Sequence, residues 1–336
     1  MRRSRIIFLA AVVMVILVQS MDLHALTIKI GTIAPDRSPW VKELKRLGEE
    51  WGRITGGEVK IKIYAGSIVG SEEDMVRKIR MGILGGAVFT SIGITNIYPD
   101  SYVMAIPFSL NSEAELDHVM DKMAPIFEKG IEDRGFKLIV WAKSGWVYFF
   151  TKTPIQYPED LKKHKLSFTT GASEMEQAWK QSGYHVVPNE LKDMMMGLQS
   201  GMVDSFYLPP VLAASGQFFE LAPNMCPLKI GPLVGGLVVS KRIWDSVPPQ
   251  YRKEMQDVAR KMAANLFQET IKLEQEALDE MKKHGLKINP VPPDALEKWK
   301  AASDKGMDAL VGKAFSKDIY DTMMHHIKEF RNSHKQ

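Results

Sequence analysis

The chain has 336 residues, room for about two domains, with 45% apolar and 25% charged side chains. That balance excludes disorder, collagen-like repeats and a multi-span membrane protein. The net charge is +4, but Arg2, Arg3 and Arg5 crowd the start; without the first 25 residues it falls to +2, too little to point to nucleic acid.

Arg2, Arg3 and Arg5 precede an unbroken apolar run of 13, Ile6 to Val18, and the small residue Ala25 closes the stretch after it. Charged, apolar and cleavage regions in that order read as a secretory signal peptide over residues 1–25. Thirteen residues span only about 20 Å as a helix, short of a hydrocarbon core of about 30 Å. Retention as an anchor is the alternative, because Leu23 is not the ideal small residue at its place before the cleavage point. The mature protein is expected to begin near Leu26 and to work in the periplasm.

Leu26 to Ile33 alternates as a half-buried strand. Ser38 and Pro39 are suited to cap and open a helix, Trp40 to Thr55, that Gly56-Gly57 stops. Val59 to Tyr64 alternates again, Glu72 to Met81 is amphipathic, and Ala87 to Thr90 is a short apolar strand. The opening third thus reads βαβαβ, the pattern of a mostly parallel α/β domain. Lys137 to Ala142 and Trp146 to Thr151 read as two further strands, and Lys165 to Thr169 as another. Glu174 to Ser182 and Leu191 to Ser200 read as helices, with Val203 to Tyr207 a strand. From Pro248-Pro249 a helix extends to about His284, with Met255, Val258, Met262, Leu266, Ile271 and Leu273 at helical spacing. At about 1.5 Å per residue it is long enough to cross between two lobes. A cleft between lobes is a preferred ligand site.

Ile30-Gly-Thr-Ile-Ala-Pro-Asp-Arg-Ser-Pro-Trp and Tyr64-Ala-Gly-Ser-Ile-Val-Gly-Ser-Glu-Glu-Asp are followed in order by Ala105-Ile-Pro-Phe108, Pro158-Glu-Asp-Leu-Lys162, Leu198-Gln-Ser-Gly-Met-Val-Asp204 and Phe218-Phe-Glu220. This series resembles the DctP-type solute receptors of tripartite ATP-independent periplasmic (TRAP) transporters over residues 26–330. The resemblance implies an α/β, two-lobed periplasmic binding protein fold with a ligand cleft and a long helix crossing both lobes. It implies lobe I from 26–145 plus 234–273, lobe II from 146–233 plus 274–330, and hinge closure on the ligand. It further implies delivery of the solute to TRAP membrane permease subunits, with no enzymatic role and no cofactor. Some such systems add a periplasmic tetratricopeptide-repeat protein, a partner compatible with transport.

The family usually holds a carboxylate by an Arg in the strand after the Asp-Leu-Lys helix, since a guanidinium fork matches two carboxylate oxygens. That position is Ser167 here. A second Arg of some members falls at Val147, and a common Asn falls at Leu208. Ile33, Glu72, Phe89, Thr90, Thr170 and Leu191 occupy the other cleft positions that the resemblance implies. So apolar a set predicts a hydrophobic or amphipathic ligand, with adaptable Met side chains from Met194-Met195-Met196 and part of the aromatic run Trp146 to Phe150. An acid held by a replacement Arg (Arg37, Arg77 or Arg80) is one alternative; an exported interaction protein serving a helical-repeat partner is another.

Catalytic signatures are missing: Gly-x-Ser-x-Gly, Walker A, Gly-x-Gly-x-x-Gly and His-Glu-x-x-His do not occur. The lone Cys226 excludes an intrachain disulfide and reads as a small buried apolar residue. His325-His326 with Glu329 lacks a third and fourth ligand, so it reads as a solvated helix face and no metal is expected.

Overall fold

In the computed structural model, which describes residues 25–169, 173–307 and 309–334, strand β1 (Leu26–Thr32) buries Ile28 and Ile30 and exposes Thr27 and Lys29. The expected leader lies outside the described residues except for Ala25. Helix α1 (Pro39–Ile54) begins where its signals place it: Ser38 Oγ accepts the Val41 amide, and Val41, Leu44, Leu47 and Trp51 form the buried face. Strands β2 (Val59–Tyr64) and β3 (Gly86–Phe89) flank β1 in parallel, and α2 (Glu72–Arg80) lies between them in sequence, opened by a Ser71–Asp74 capping box.

After the short α3 (Ser91–Thr95) comes α4 (Glu113–Glu132), a 20-residue helix that the sequence reading does not contain. Ser112 caps it and Leu116, Val119, Met123, Phe127 and Ile131 are buried, an evident helical spacing. Pro125 in its interior is the breaker signal that masks the pattern.

Strand β4 (Phe136–Thr151) is one strand of 16 residues where two are expected. The apparent break is a register shift between Lys143 and Trp146, with Gly145 at φ +93°, so pairing continues through a local bulge. This continuity joins two sheets. From Phe136 to Val147, β4 runs antiparallel to β9 (Gly231–Ser240), which gives the first sheet the order β2-β1-β3-β9-β4. From Tyr148 onward it pairs with β7 (Ser205–Leu208), beyond which lie β5 (Lys165–Phe168) and β6 (His185–Pro188). Helices α5 (Pro158–Leu161), α6 (Ser173–Gln181), α7 (Met194–Ser200) and α8 (Pro210–Ser215) connect this second sheet, and β8 (Asn224–Met225) extends it beside β4. The result is the expected two-lobed mixed α/β fold. Gly231, Gly235 and Gly236 belong to β9: a Cβ at Gly235 would lie 2.1 Å from the Phe89 carbonyl oxygen, so only glycine lets the backbones approach so closely.

Helix α9 (Lys241–Ser246) leads into α10 (Pro249–Lys283), whose 35 residues extend about 52 Å at about 1.5 Å per residue. It packs against α1 and β4 of the first lobe and α8 of the second. Met255 and Leu266 are buried as the spacing implies, but Ile271 is 44% exposed, and Phe267 and Thr270 hold that part of the buried face. Strand β10 (Lys287–Ile288) pairs with β8, and α11 (Ala295–Met307) and α12 (Lys317–Ser333) end the chain. Although grouped by sequence with lobe II, α12 packs on α4, where the Arg331 guanidinium meets buried Glu115 at 2.6 Å. Cys226 is buried, and burial pushes its thiol up to about 11, away from nucleophilic use.

The motifs that carry the resemblance serve the backbone. Asp160 accepts the amides of Gln156 and Tyr157, and Asp204 accepts the Lys165 amide at 2.7 Å and faces His164 Nδ1 at 3.2 Å. These carboxylates satisfy the open ends of α5 and β5.

Candidate functional site

A cavity of about 160 Å³ lies where the parallel strands of both sheets end. Ile33 follows β1, Thr90 follows β3, Thr169 follows β5, and Leu208 with Pro209 closes β7; each lines the cavity. Carboxyl ends of parallel strands leave such crevices because the connections diverge there. Strand β4 contributes alternate residues, Val147 and Phe149, while Tyr148 and Phe150 pack into the core of the second lobe.

Seven of the nine residues expected to bind ligand meet here: Ile33, Glu72, Thr90, Val147, Ser167, Leu191 and Leu208. Phe89 does not. One residue before Thr90 on β3, it points into the core, 2% exposed, with Gly93 packed against its ring. Thr170 lies outside the described residues. Of the Met run, Met194 lines the cavity, Met195 packs into the second lobe's core and Met196 is 66% exposed, as one turn of helix must distribute them. Tyr102, Met175, Trp179, Glu190 and Tyr207 line the cavity without having been singled out. Tyr207 precedes Leu208 in a short strand whose neighbours were visible; Tyr102 sits in a short 3-10 helix, Pro99–Ala105, which the sequence reading does not contain.

The electrostatics are unusual for a site able to hold an acid. Among the described lining residues the charged side chains are Glu72 and Glu190, and there is no Arg, Lys or His. Glu72 is 5% exposed and accepts both the Thr90 amide and the Thr90 hydroxyl at 2.6 Å. Burial outweighs these bonds, and with Glu190 nearby the carboxyl is pushed up to about 7. Ser167, at the expected Arg position, is 3% exposed and bonded to Asn189 Nδ2 at 3.1 Å. None of the candidate replacement cations lines the cavity. Arg37 is exposed, Arg77 is paired with Asp74, and Arg80 lies 5.7 Å over the Phe136 ring. Burial also holds the Tyr102 and Tyr207 hydroxyls protonated.

The profile of DctP, bacterial extracellular solute-binding protein family 7, matches residues 30–314. Similar proteins include the 2,3-diketo-L-gulonate-binding periplasmic protein of Escherichia coli K12, 24% identical over 70% of this chain and 72% of the relative. The sialic acid-binding periplasmic protein of Vibrio cholerae is 22% identical over 86% of this chain and 90% of its own. Among solved structures, a TRAP periplasmic solute-binding protein from Xanthobacter autotrophicus Py2 with bound β-D-galacturonate superposes with a TM-score of 0.81. It is 22% identical and is covered over 99% of its length by 90% of this chain.

Proposed function

The chain belongs to the DctP family of bacterial extracellular solute-binding proteins, which are receptors of transport and not enzymes, and from that premise we propose that its solute is hydrophobic or amphipathic. The carrying observation is the cavity wall: two carboxylates, Glu72 and Glu190, and no cation among the described lining residues. Taking a carboxylate out of water costs several kcal/mol unless a partner compensates. An apolar ligand gains about 25 cal/mol per Å² instead, or about 7 kcal/mol gross for roughly 300 Å² buried. Ile33, Val147, Phe149, Met194 and Leu208 offer that surface, and the hydroxyls of Ser91 and Tyr102 offer hydrogen bonds to one polar end. The named relatives bind sugar acids, but at 22–24% identity the lining can differ while the fold persists.

In this reading the lobes close on the solute by a hinge motion and the closed receptor delivers it to TRAP permease subunits in the membrane. A periplasmic tetratricopeptide-repeat protein fits as an accessory. Solvent extraction of purified protein, read by mass spectrometry, is expected to release an apolar or long-chain amphipathic molecule. Repeated release of sugar acids or C4 dicarboxylates alone would overturn the ligand class. Ser167→Arg is expected to shift the extracted profile toward carboxylates, because it places a guanidinium at the wall. Compaction on ligand binding, seen by small-angle scattering, is expected of a receptor; a scaffold serving only a protein partner would not compact.

A further inference from the structure

Helix α12 carries His326 and Glu329 three residues apart, on one face, and α4 brings His118 against them. His118 Nε2 lies 3.6 Å from Glu329 Oε2, and His326 Nδ1 lies 3.1 Å from the same oxygen. The third ligand that the sequence does not reveal therefore sits 208 positions upstream of His326. His325, the neighbour drawn into the cluster by sequence alone, is not part of the group.

Three observations point to a cation. The ligand atoms of His118, His326 and Glu329 all lie within 4.8 Å of one another. Zinc–ligand bonds of about 2.0–2.2 Å at tetrahedral angles set ligand atoms about 3.3–3.6 Å apart; the 3.6 Å separation falls in that range and the 3.1 Å one lies just below it. Second, His118 Nε2 is buried with no hydrogen-bond partner, and it faces the carboxylate. A buried unpaired ring nitrogen costs free energy that a coordinated metal would relieve. Third, the donors are chemically matched, since two imidazoles and one carboxylate with a remaining position for water suit a borderline dication. The two His side chains are 27% and 20% exposed and Phe330 lies 5.5 Å from the His118 ring, so the pocket is sheltered on one side and reachable from solvent on the other. Lys122, one turn beyond His118, is exposed and its charge acts on the Glu329 carboxylate, so a metal ion must bind beside that ammonium group.

We infer that His118, His326 and Glu329 form a transition-metal site, with Zn²⁺ the ion of matching chemistry, that staples the C-terminal helix to α4. The site stands apart from the cleft and does not depend on the identity of the solute. The mature chain, prepared without a histidine tag, is titrated with Zn²⁺ by calorimetry and with Co²⁺ by visible absorption. One ion per chain is expected, with the d–d bands of a four-coordinate cobalt site and a Zn²⁺-dependent rise in melting temperature. His118→Gln, His326→Gln and Glu329→Gln should each weaken binding about tenfold or more, whereas His325→Gln should leave it unchanged. Glu329 is half-exposed, so Glu329→Gln reports on binding even if a His variant folds poorly. Less than one ion per chain, or binding that survives Glu329→Gln and a folded His118→Gln, would overturn the assignment.

Discussion

Glu72→Gln is expected to make the protein more stable above pH 7 and to abolish about half of the stability loss that the parent shows between pH 4.5 and about 7. A free Glu titrates near 4.5, whereas burial pushes Glu72 up to about 7 in the folded chain. The folded state therefore binds this proton more tightly than the unfolded state does. The associated stability is fully present below pH 4.5 and is lost as pH rises through about 7. A shift of that size corresponds to roughly 3 kcal/mol, at about 1.4 kcal/mol per pH unit. Gln carries no charge to bury, and its amide can still accept the Thr90 amide proton and donate to the Thr90 hydroxyl.

Glu274 is also pushed up to about 7 by burial, with Glu113 adding to the shift and Lys229 opposing it, so it keeps part of the slope in the same window. The variant's profile should be shallower, not flat. Melting temperatures from pH 4 to 9 for parent and variant make the measurement. An unchanged slope would mean that Glu72 ionises as freely as it does in water. The same titration bears on ligand: an amphipathic acid should bind better below pH 7, where Glu72 is neutral and repels it least.

Trp299→Ala is expected to cost about 3–5 kcal/mol of stability, the range for removing a large buried aromatic. Trp299 on α11 is 1% exposed and stacks on Phe149 at 5.4 Å, with Phe108 at 5.5 Å on its other contact. Its indole N–H donates to the Gln156 carbonyl at 3.0 Å, tying α11 to the segment before α5. Phe149 is itself a cavity wall residue, so the void left behind undermines the site as well as the core. Ligand affinity should fall together with stability, whereas Trp299→Phe should recover part of both by refilling the stack. Urea unfolding with an unchanged m-value reads the first effect. A loss under about 1 kcal/mol would show that the surrounding rings close the gap.

Much of the first lobe was legible because its signals are local. Ser38 and Pro39 open α1, and Lys29 alternates with Ile28 and Ile30, before any distant contact is made. The family motifs were equally legible, and their carboxylates Asp160 and Asp204 bond to amides close by or one strand away. Helix α4 was not, since Pro125 sends a breaker signal that packing against β4 and α12 overrides. The single strand β4 was not either: the apolar pattern lapses between Ala142 and Trp146, and pairing with β9 carries the strand through.

The cleft shows the same division at the scale of one residue. Resemblance brought both Phe89 and Thr90 forward, yet strand alternation and the pairing of β3 with β9 turn Phe89 into the core and leave Thr90 on the wall. Resemblance put the family's usual arginine position at Ser167, but only the assembled wall showed that, among the described residues, no other cation lines it. By itself, then, the sequence determined most helices and strands, because propensity, capping and periodicity act over a few residues. Its ordered motifs carried the resemblance that implied the family and the apolar cleft positions. Only the tertiary structure decided which faces meet: Glu72 beside Thr90, Trp299 under Phe149, and His118 beside His326. Those contacts depend on β4 joining two sheets and on α12 returning to the first lobe, pairings that no local pattern encodes.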